Sequence, residues 1–315
     1  MLLIFPFLYF YFYIKPIIID PLETKLKLPK ITSHSFVELG KTIPLFLGSE
    51  SGHLGMLEKL KASTYILPSF RLLQYKITPQ EHKKDELNLN PSHQQIKHSS
   101  NWSGAVWKGT DLRTVSATWR IQPVKEIVMS ENQLATQWIG LGGCGAQPLI
   151  QAGTDGWVMR GGRKEYKVWF ELIQPHVDIH PFFLTNFPVH EFDIIHMAIE
   201  YIPGKSASCR FFIWNISKLM YTTFEINDIG ELPPVNTAEW IVEKVLECPL
   251  AQQEYALFMH AHYGHTNFSE KMVTLNRFDA SIEWYQVSDG QGNIRLSSYP
   301  HPHHDAIVFR WINAN

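Results

Sequence analysis

Thr114-Val115-Ser116-Ala117-Thr118-Trp119-Arg120-Ile121 places Val115, Ala117, Trp119 and Ile121 on one side of an extended chain and Ser116, Thr118 and Arg120 on the other. Successive side chains of a strand point to opposite faces, so a period of two marks a strand with one buried face. The same pattern spreads outward from this stretch. Tyr166, Val168, Phe170 and Leu172 alternate with Glu165, Lys167, Trp169 and Glu171. Further short runs at 135–142, 194–202, 208–216, 221–226, 238–245, 256–263, 281–287 and 305–311 are separated by Gly, Pro, Asn and Asp. From Asn101 onward no helix-period segment of useful length competes with them and no internal repeat appears. The expectation is an all-β sandwich or barrel.

Each strand offers two separate lists of side chains. Thr136, Trp138, Gly140 and Gly142 share one face of the 135–142 run, and Gln137, Ile139 and Leu141 the other. Gln151 shares a face with Leu149, Trp169 with Glu171, and Glu239 with Ile241 and Glu243. One sheet face can therefore carry Trp138, Gln151, Trp169, Glu171 and Glu239. Aromatic walls with a few convergent polar groups are what a binding groove presents, although charged residues are also ordinary on a solvated sheet face.

The chain before this pattern has a different character. Residues 2–14 form a continuous apolar run, shorter than the ~20 residues of a spanning helix and close to the apolar region of a signal peptide. A short membrane anchor is the alternative for residues 1–20, and export the expectation. Residues 21–98 contain a helical-looking stretch at 54–60 and end in a polar tail from 78 to 99, which reads as a linker or a processing region. Residues 1–98 carry 12 Lys and Arg against 8 Asp and Glu, whereas residues 99–315 carry 16 against 22. All ten Trp lie in the second part. A folded unit is therefore expected over 99–315, with a basic segment able to cover it. The acidic character of that unit argues against nucleic acid as a partner, because phosphate binding needs a positive field.

Other chemistries have weaker support. Cys144, Cys209 and Cys248 are too few for a disulfide scaffold, and their spacing matches no metal knuckle. His260 and His262 alternate onto one strand face, with His265 near them and His301, His303 and His304 further on, but no carboxylate or cysteine spacing completes a metal site. No metal or organic cofactor is expected. Ser103 lies in Asn-Trp-Ser-Gly rather than in a nucleophile elbow, and Cys144 has no identifiable His partner. Asn101, Asn215 and Asn267 begin N-x-S sequons.

Six motifs fall in an order that resembles the glutamic peptidases, or eqolisins. They are Asn101-Trp102-Ser103-Gly104-Ala105, Thr114 to Trp119, Trp138-Ile139-Gly140-Leu141-Gly142-Gly143, Leu149-Ile150-Gln151-Ala152-Gly153-Thr154-Asp155, Tyr166 to Glu171, and Asn236-Thr237-Ala238-Glu239-Trp240-Ile241-Val242-Glu243. The resemblance implies two antiparallel sheets packed face to face, a concanavalin A-like jelly-roll β-sandwich with a groove across its concave side. It implies secretion as a precursor whose basic pro-segment is removed, polypeptide substrates, and the pro-segment as an intramolecular inhibitor of a monomeric enzyme. The family's catalytic Gln falls on Gln151 and its catalytic Glu on Glu239, with Trp138, Trp169, Glu171 and Asp155 as expected substrate-binding residues. Gly142 and Lys167 stand where fungal relatives often carry acidic residues. A Glu near its ordinary pKa of ~4.3 would suit action in acid. The rival reading is a carbohydrate- or peptide-binding sandwich without catalysis, in which Trp138 and Trp169 stack on a ligand.

Overall fold

The structure is a computed structural model of the 315-residue chain. It describes residues 96–312 apart from 128–130, 145–147, 175–180, 186, 206, 231, 246–247, 254–255, 266–271, 277–278 and 301–305, together with the short strands Ile17–Ile18, Leu60–Lys61 and Arg71–Leu72. The apolar run at 2–14, the tail at 78–95, Asn267, His301, His303 and His304 lie outside the described residues. Of the helical-looking 54–60 stretch only Leu60 is described, and it is a strand residue.

Among the described residues there is no helix, and fourteen strands have four residues or more. They are β1 Ile96–Ser99, β2 Trp102–Lys108, β3 Thr114–Arg120, β4 Gln133–Gly142, β5 Leu149–Val158, β6 Lys164–Ile173, β7 Ile194–Ile202, β8 Ser208–Asn215, β9 Met220–Ile226, β10 Thr237–Glu243, β11 Ala256–Gly264, β12 Ile282–Ser288, β13 Ile294–Pro300 and β14 Ile307–Trp311. One layer runs β6–β5–β4–β10–β2–β12, antiparallel at every step. The other runs β9–β8–β7–β3–β11–β14–β13, again antiparallel throughout. A short pairing of Val287 with Leu296 joins the layers. The ladder is a path folded back on itself rather than a ring. It ends at Phe182–Phe183 beyond β6 and at Leu60–Lys61 beyond β9, and no described pairing links those ends.

The inner faces carry the alternating apolar residues read from the sequence. Ile139, Leu141, Ile150, Ala152, Val168, Phe170, Ala238 and Trp240 from the first layer meet Val115, Ala117, Trp119, Met197, Phe211 and Phe224 from the second. Phe170 lies 4.6 Å from Phe224 and 5.3 Å from Phe211 between ring centroids. Two fully buried indoles each find an acceptor across the sandwich. Trp119 Nε1 donates to Thr154 Oγ1 at 2.9 Å, and Trp240 Nε1 to the Ser116 carbonyl at 3.0 Å. A buried Trp needs such a partner, because a stranded N–H costs about 1–3 kcal/mol.

Some local features depart from the sequence expectation, and others bear on points it left open. Three strands were not anticipated: β1, β2 and β13. β1 pairs in parallel with Trp284–Val287 and straddles the expected boundary at 98/99. The three cysteines are free thiols. Asn215 is buried with its amide donating to Asp193 at 2.9 Å, and the Asn101 amide donates to Glu243 at 2.8 Å, so both sequon side chains are engaged in the fold. His260 adopts a left-handed φ of 51° within an irregular stretch of β11, and its ring lies parallel to that of His262 at 6.5 Å. Among the described residues no group of three or more His, Cys, Asp or Glu is placed to hold a metal ion.

Candidate active site

The face of the first layer turned away from the sandwich core carries a second apolar cluster. Val106, Trp138, Leu149, Trp169 and Ile241 form it, with Trp102, Cys144, Phe183 and Tyr285 packed around them. Register sets what lies within it, because side chains of Cα partners on neighbouring antiparallel strands stand on the same face. Glu171 pairs with Gln151, Gln151 with Gly140, Gly140 with Glu239, Glu239 with Val106, and Val106 with Glu283. Gln151 and Glu239 therefore stand in one transverse row, two strand spacings apart or about 10 Å at the backbone, with only a glycine between them. A Cβ at Gly140 would sit 3.1 Å from Glu239 Oε2.

The row two residues along is aromatic. Trp169 pairs with Gly153, Gly153 with Trp138, Trp138 with Ile241, Ile241 with Gly104 and Gly104 with Tyr285. Gly153 is bare for a packing reason, since a Cβ there would meet Trp138 Cβ at 2.6 Å and Trp169 Cζ2 at 2.8 Å. The third row holds Lys167, Asp155, Thr136, Glu243 and Trp102.

The electrostatics follow from burial. Glu239 has no exposed surface, and neither of its carboxyl oxygens has a hydrogen-bond partner. Burial pushes its pKa up to about 8, against a smaller lowering by the Thr237 hydroxyl. This corrects the expectation of a Glu near 4.3, which assumed a solvated carboxyl. Gln151 donates through Nε2 to Glu171 Oε2, while its Oε1 is buried without a partner. Asp155 is also buried and is pushed up to about 6, chiefly by desolvation, with Thr136, Trp157 and Trp169 pulling the other way. At the far end of the row, Glu283 receives Lys97 and Lys108, each at 2.8 Å. Burial works to raise its pKa, but the hydrogen bonds from Lys108, Lys97 and Tyr285 outweigh that and hold it below the usual range.

All six residues expected at the site share this face. Gln151, Glu239 and Glu171 fall in one row, Trp138 and Trp169 in the next, and Asp155 in the third. Trp138 is fully buried and Trp169 nearly so, which leaves little ring surface open to a stacking ligand. Sequence reasoning passed over Glu283, Tyr285 and the structural part played by Glu243. Glu243 was within reach of the period-two rule, being four residues from Glu239. Nothing local tied the distant Lys97 or Glu283 to the row.

The Peptidase A4 family model matches residues 100–294 of this chain. Aspergillopepsin-2 from Aspergillus niger is 26% identical over 209 residues, covering 61% of this chain and 70% of the relative. Scytalidopepsin B from Scytalidium lignicola is 27% identical over 191 residues, covering 60% and 69%. Among solved structures, scytalido-glutamic peptidase with a transition state analog inhibitor superposes with a TM-score of 0.54 at 21% identity, over 68% of this chain and 99% of that one. An eqolisin complexed with the tripeptide Ala-Ile-His gives a TM-score of 0.50 at 20% identity, with the same coverage. The likeness to these solved structures places the two-layer architecture described above in the eqolisin fold.

Proposed function

The chain belongs to the Peptidase A4 family, the glutamic peptidases, and is a peptide-bond hydrolase, and we propose that Gln151 and Glu239 are its catalytic pair. One observation carries this reading. Three buried oxygens without partners, Oε1 of Gln151 and both carboxyl oxygens of Glu239, flank a glycine in a single row. Buried acceptors are nearly always satisfied, and a water held above Gly140 has the two donors that such a pair lacks.

Hydrolysis then runs through one carboxyl in two steps. Glu239 as the carboxylate takes a proton from the water as its oxygen bonds to the scissile carbonyl carbon. The same proton passes to the leaving nitrogen as the C–N bond breaks, so the enzyme ends as it began. The Gln151 amide has two N–H groups. One is held by Glu171, which fixes the amide plane, and the other faces the developing oxyanion. Burial has a double effect on Glu239. It makes the carboxylate a stronger base and favours the neutral acid that carries the proton between steps. Substrate N–H groups entering the groove donate to the carboxyl and bring its pKa down toward the ordinary range, which makes the ionised form available in acid. We therefore propose an acid-acting endopeptidase, with Trp138, Trp169, Glu171 and Asp155 shaping the groove. Replacing Gln151 with Ala should lower kcat/KM for a denatured protein or peptide at acid pH by about 10²–10³, the usual cost of one oxyanion donor. Parent-like digestion by the purified variant would remove Gln151 from the mechanism.

Secretion as a precursor is part of the same proposal. The +4 character of residues 1–98 against −6 for 99–315 favours electrostatic docking. Lys97, at the end of the basic stretch, already binds a carboxylate of the domain through Glu283. Incubating the purified full chain at acid pH should yield a shorter and more active species on a gel with parallel assays. A precursor that is fully active without shortening would overturn the inhibitory role.

A further inference from the structure

Four residues along the strands from the Gln151–Gly140–Glu239 row, a second pair of carboxyls flanks a single residue. Asp155 and Glu243 are both Cα partners of Thr136. Each accepts an indole N–H from the groove face. Trp138 Nε1 donates to Glu243 Oε2 at 2.9 Å, and Trp157 Nε1 to Asp155 Oδ2 at 3.1 Å. The other oxygen of Glu243 takes the Asn101 amide at 2.8 Å, which ties the start of β2 to the end of β10. Trp102 then packs edge-on against Trp138 at 5.1 Å.

Trp138 is the neighbour of the catalytic gap. A Cβ on Gly140 would meet its Cζ3 at 2.8 Å, and a Cβ on Gly153 would meet its Cβ at 2.6 Å. The side chain thus rests on two bare glycine positions, its ring over Gly140 and its Cβ over Gly153. These leave room for an indole but supply no directional contact to fix its rotation. A hydrogen bond at the far edge of the ring supplies that direction, and Glu243 is its acceptor.

We propose that Glu243 is a positioning residue for peptide hydrolysis: by holding the Trp138 indole it fixes the wall beside Gln151, Gly140 and Glu239 and so sets how tightly the substrate residue next to the scissile bond is bound. Asp155 anchors Trp157 in the same way further along the groove. Burial raises the pKa of both carboxyls, and the neighbouring Asp155 charge adds to the shift at Glu243. This inference rests on the assignment of Gln151 and Glu239 as the catalytic pair. Glu243 touches no reacting atom, so its effect belongs in substrate affinity.

The test uses the purified full-length chain, after whatever processing it undergoes, and one peptide substrate. Glu243→Ala and Trp138→Phe should each raise KM about tenfold with kcat within about threefold, the pattern of lost uniform binding. Glu243→Gln keeps an oxygen that accepts the indole N–H, and its KM should stay within about threefold of the parent. A merely structural residue would reduce the active fraction, lowering kcat at unchanged KM. That outcome for Glu243→Ala overturns the proposal, as does a Glu243→Gln variant as impaired as the Ala one. If Glu243→Ala does not fold, Trp138→Phe decides, and an unchanged KM there overturns it. Glu239→Gln is measured alongside. Full activity in that variant refutes the catalytic pair itself, whereas the KM comparison reads the wall separately.

Discussion

Glu239→Gln is expected to give a folded protein that hydrolyses peptides about 10³–10⁴-fold more slowly than the parent, because the proposed base and acid roles of one carboxyl would be lost together. The substitution is nearly isosteric and places no charge in the sheet, so the fold should persist. A second measurement checks the physical state of the group it replaces. Folding moves the Glu239 pKa from an ordinary carboxyl value up to about 8 through burial. Between those two values the folded chain holds a proton that the unfolded chain has released. Stability from this group is therefore fully present below the ordinary carboxyl pKa and is lost as pH rises toward 8. The loss is on the order of a few kcal/mol. Gln does not titrate. Thermal melting at pH 4 should therefore find parent and variant close together, and melting at pH 8 should find the variant more stable. An equal difference at both pH values would mean that Glu239 is not buried as described, and a variant with parent-like turnover would end its catalytic assignment.

Much of this site was legible because period-two alternation reports sheet faces directly. Leu149 and Gln151 fell on one face of β5, Glu239 and Glu243 on one face of β10, and the structure keeps both. Alternation says nothing about which strands are neighbours. That β4 lies between β5 and β10, and that its residue facing Gln151 and Glu239 is Gly140, is a matter of register, and β10 is about 100 residues further along the chain. The raised pKa of Glu239 was hidden for the same reason. It depends on Val106, Trp138 and Leu149 gathering over one face from three strands. β13 escaped notice because Leu296 is its only fully buried aliphatic residue among arginine and serines, and Ser298 is satisfied instead by the carbonyls of Gly104 and Tyr285. β1 escaped because Lys97 and His98 look like linker, and only the partner carboxylate of Glu283 makes a lysine welcome there.

Gly140→Val should reduce activity as far as Glu239→Gln does, with both proposed catalytic side chains still present. Gly140 has an ordinary strand conformation and is absent from the residues with left-handed φ, so backbone freedom is not what requires a glycine here. Space is. A Cβ alone would lie 2.8 Å from Trp138 Cζ3, 2.9 Å from Leu149 Cδ1 and 3.1 Å from Glu239 Oε2. Valine adds two methyls in the direction of the gap between Gln151 and Glu239. They would occupy the volume needed by the attacking water and the scissile carbonyl, and a shift of about 1 Å at a reacting group already costs on the order of 10² in rate. Overpacking should also cost about 1–3 kcal/mol of stability, which denaturant unfolding would report separately from turnover. Gly140→Ala in a Leu149→Ala background relieves the contact with Leu149, and its activity should exceed that of Gly140→Ala alone. Parent-like turnover by a folded Gly140→Val protein would show that the peptide bond is not broken above this glycine, and the row that joins Gln151 to Glu239 would lose its claim to be the active site.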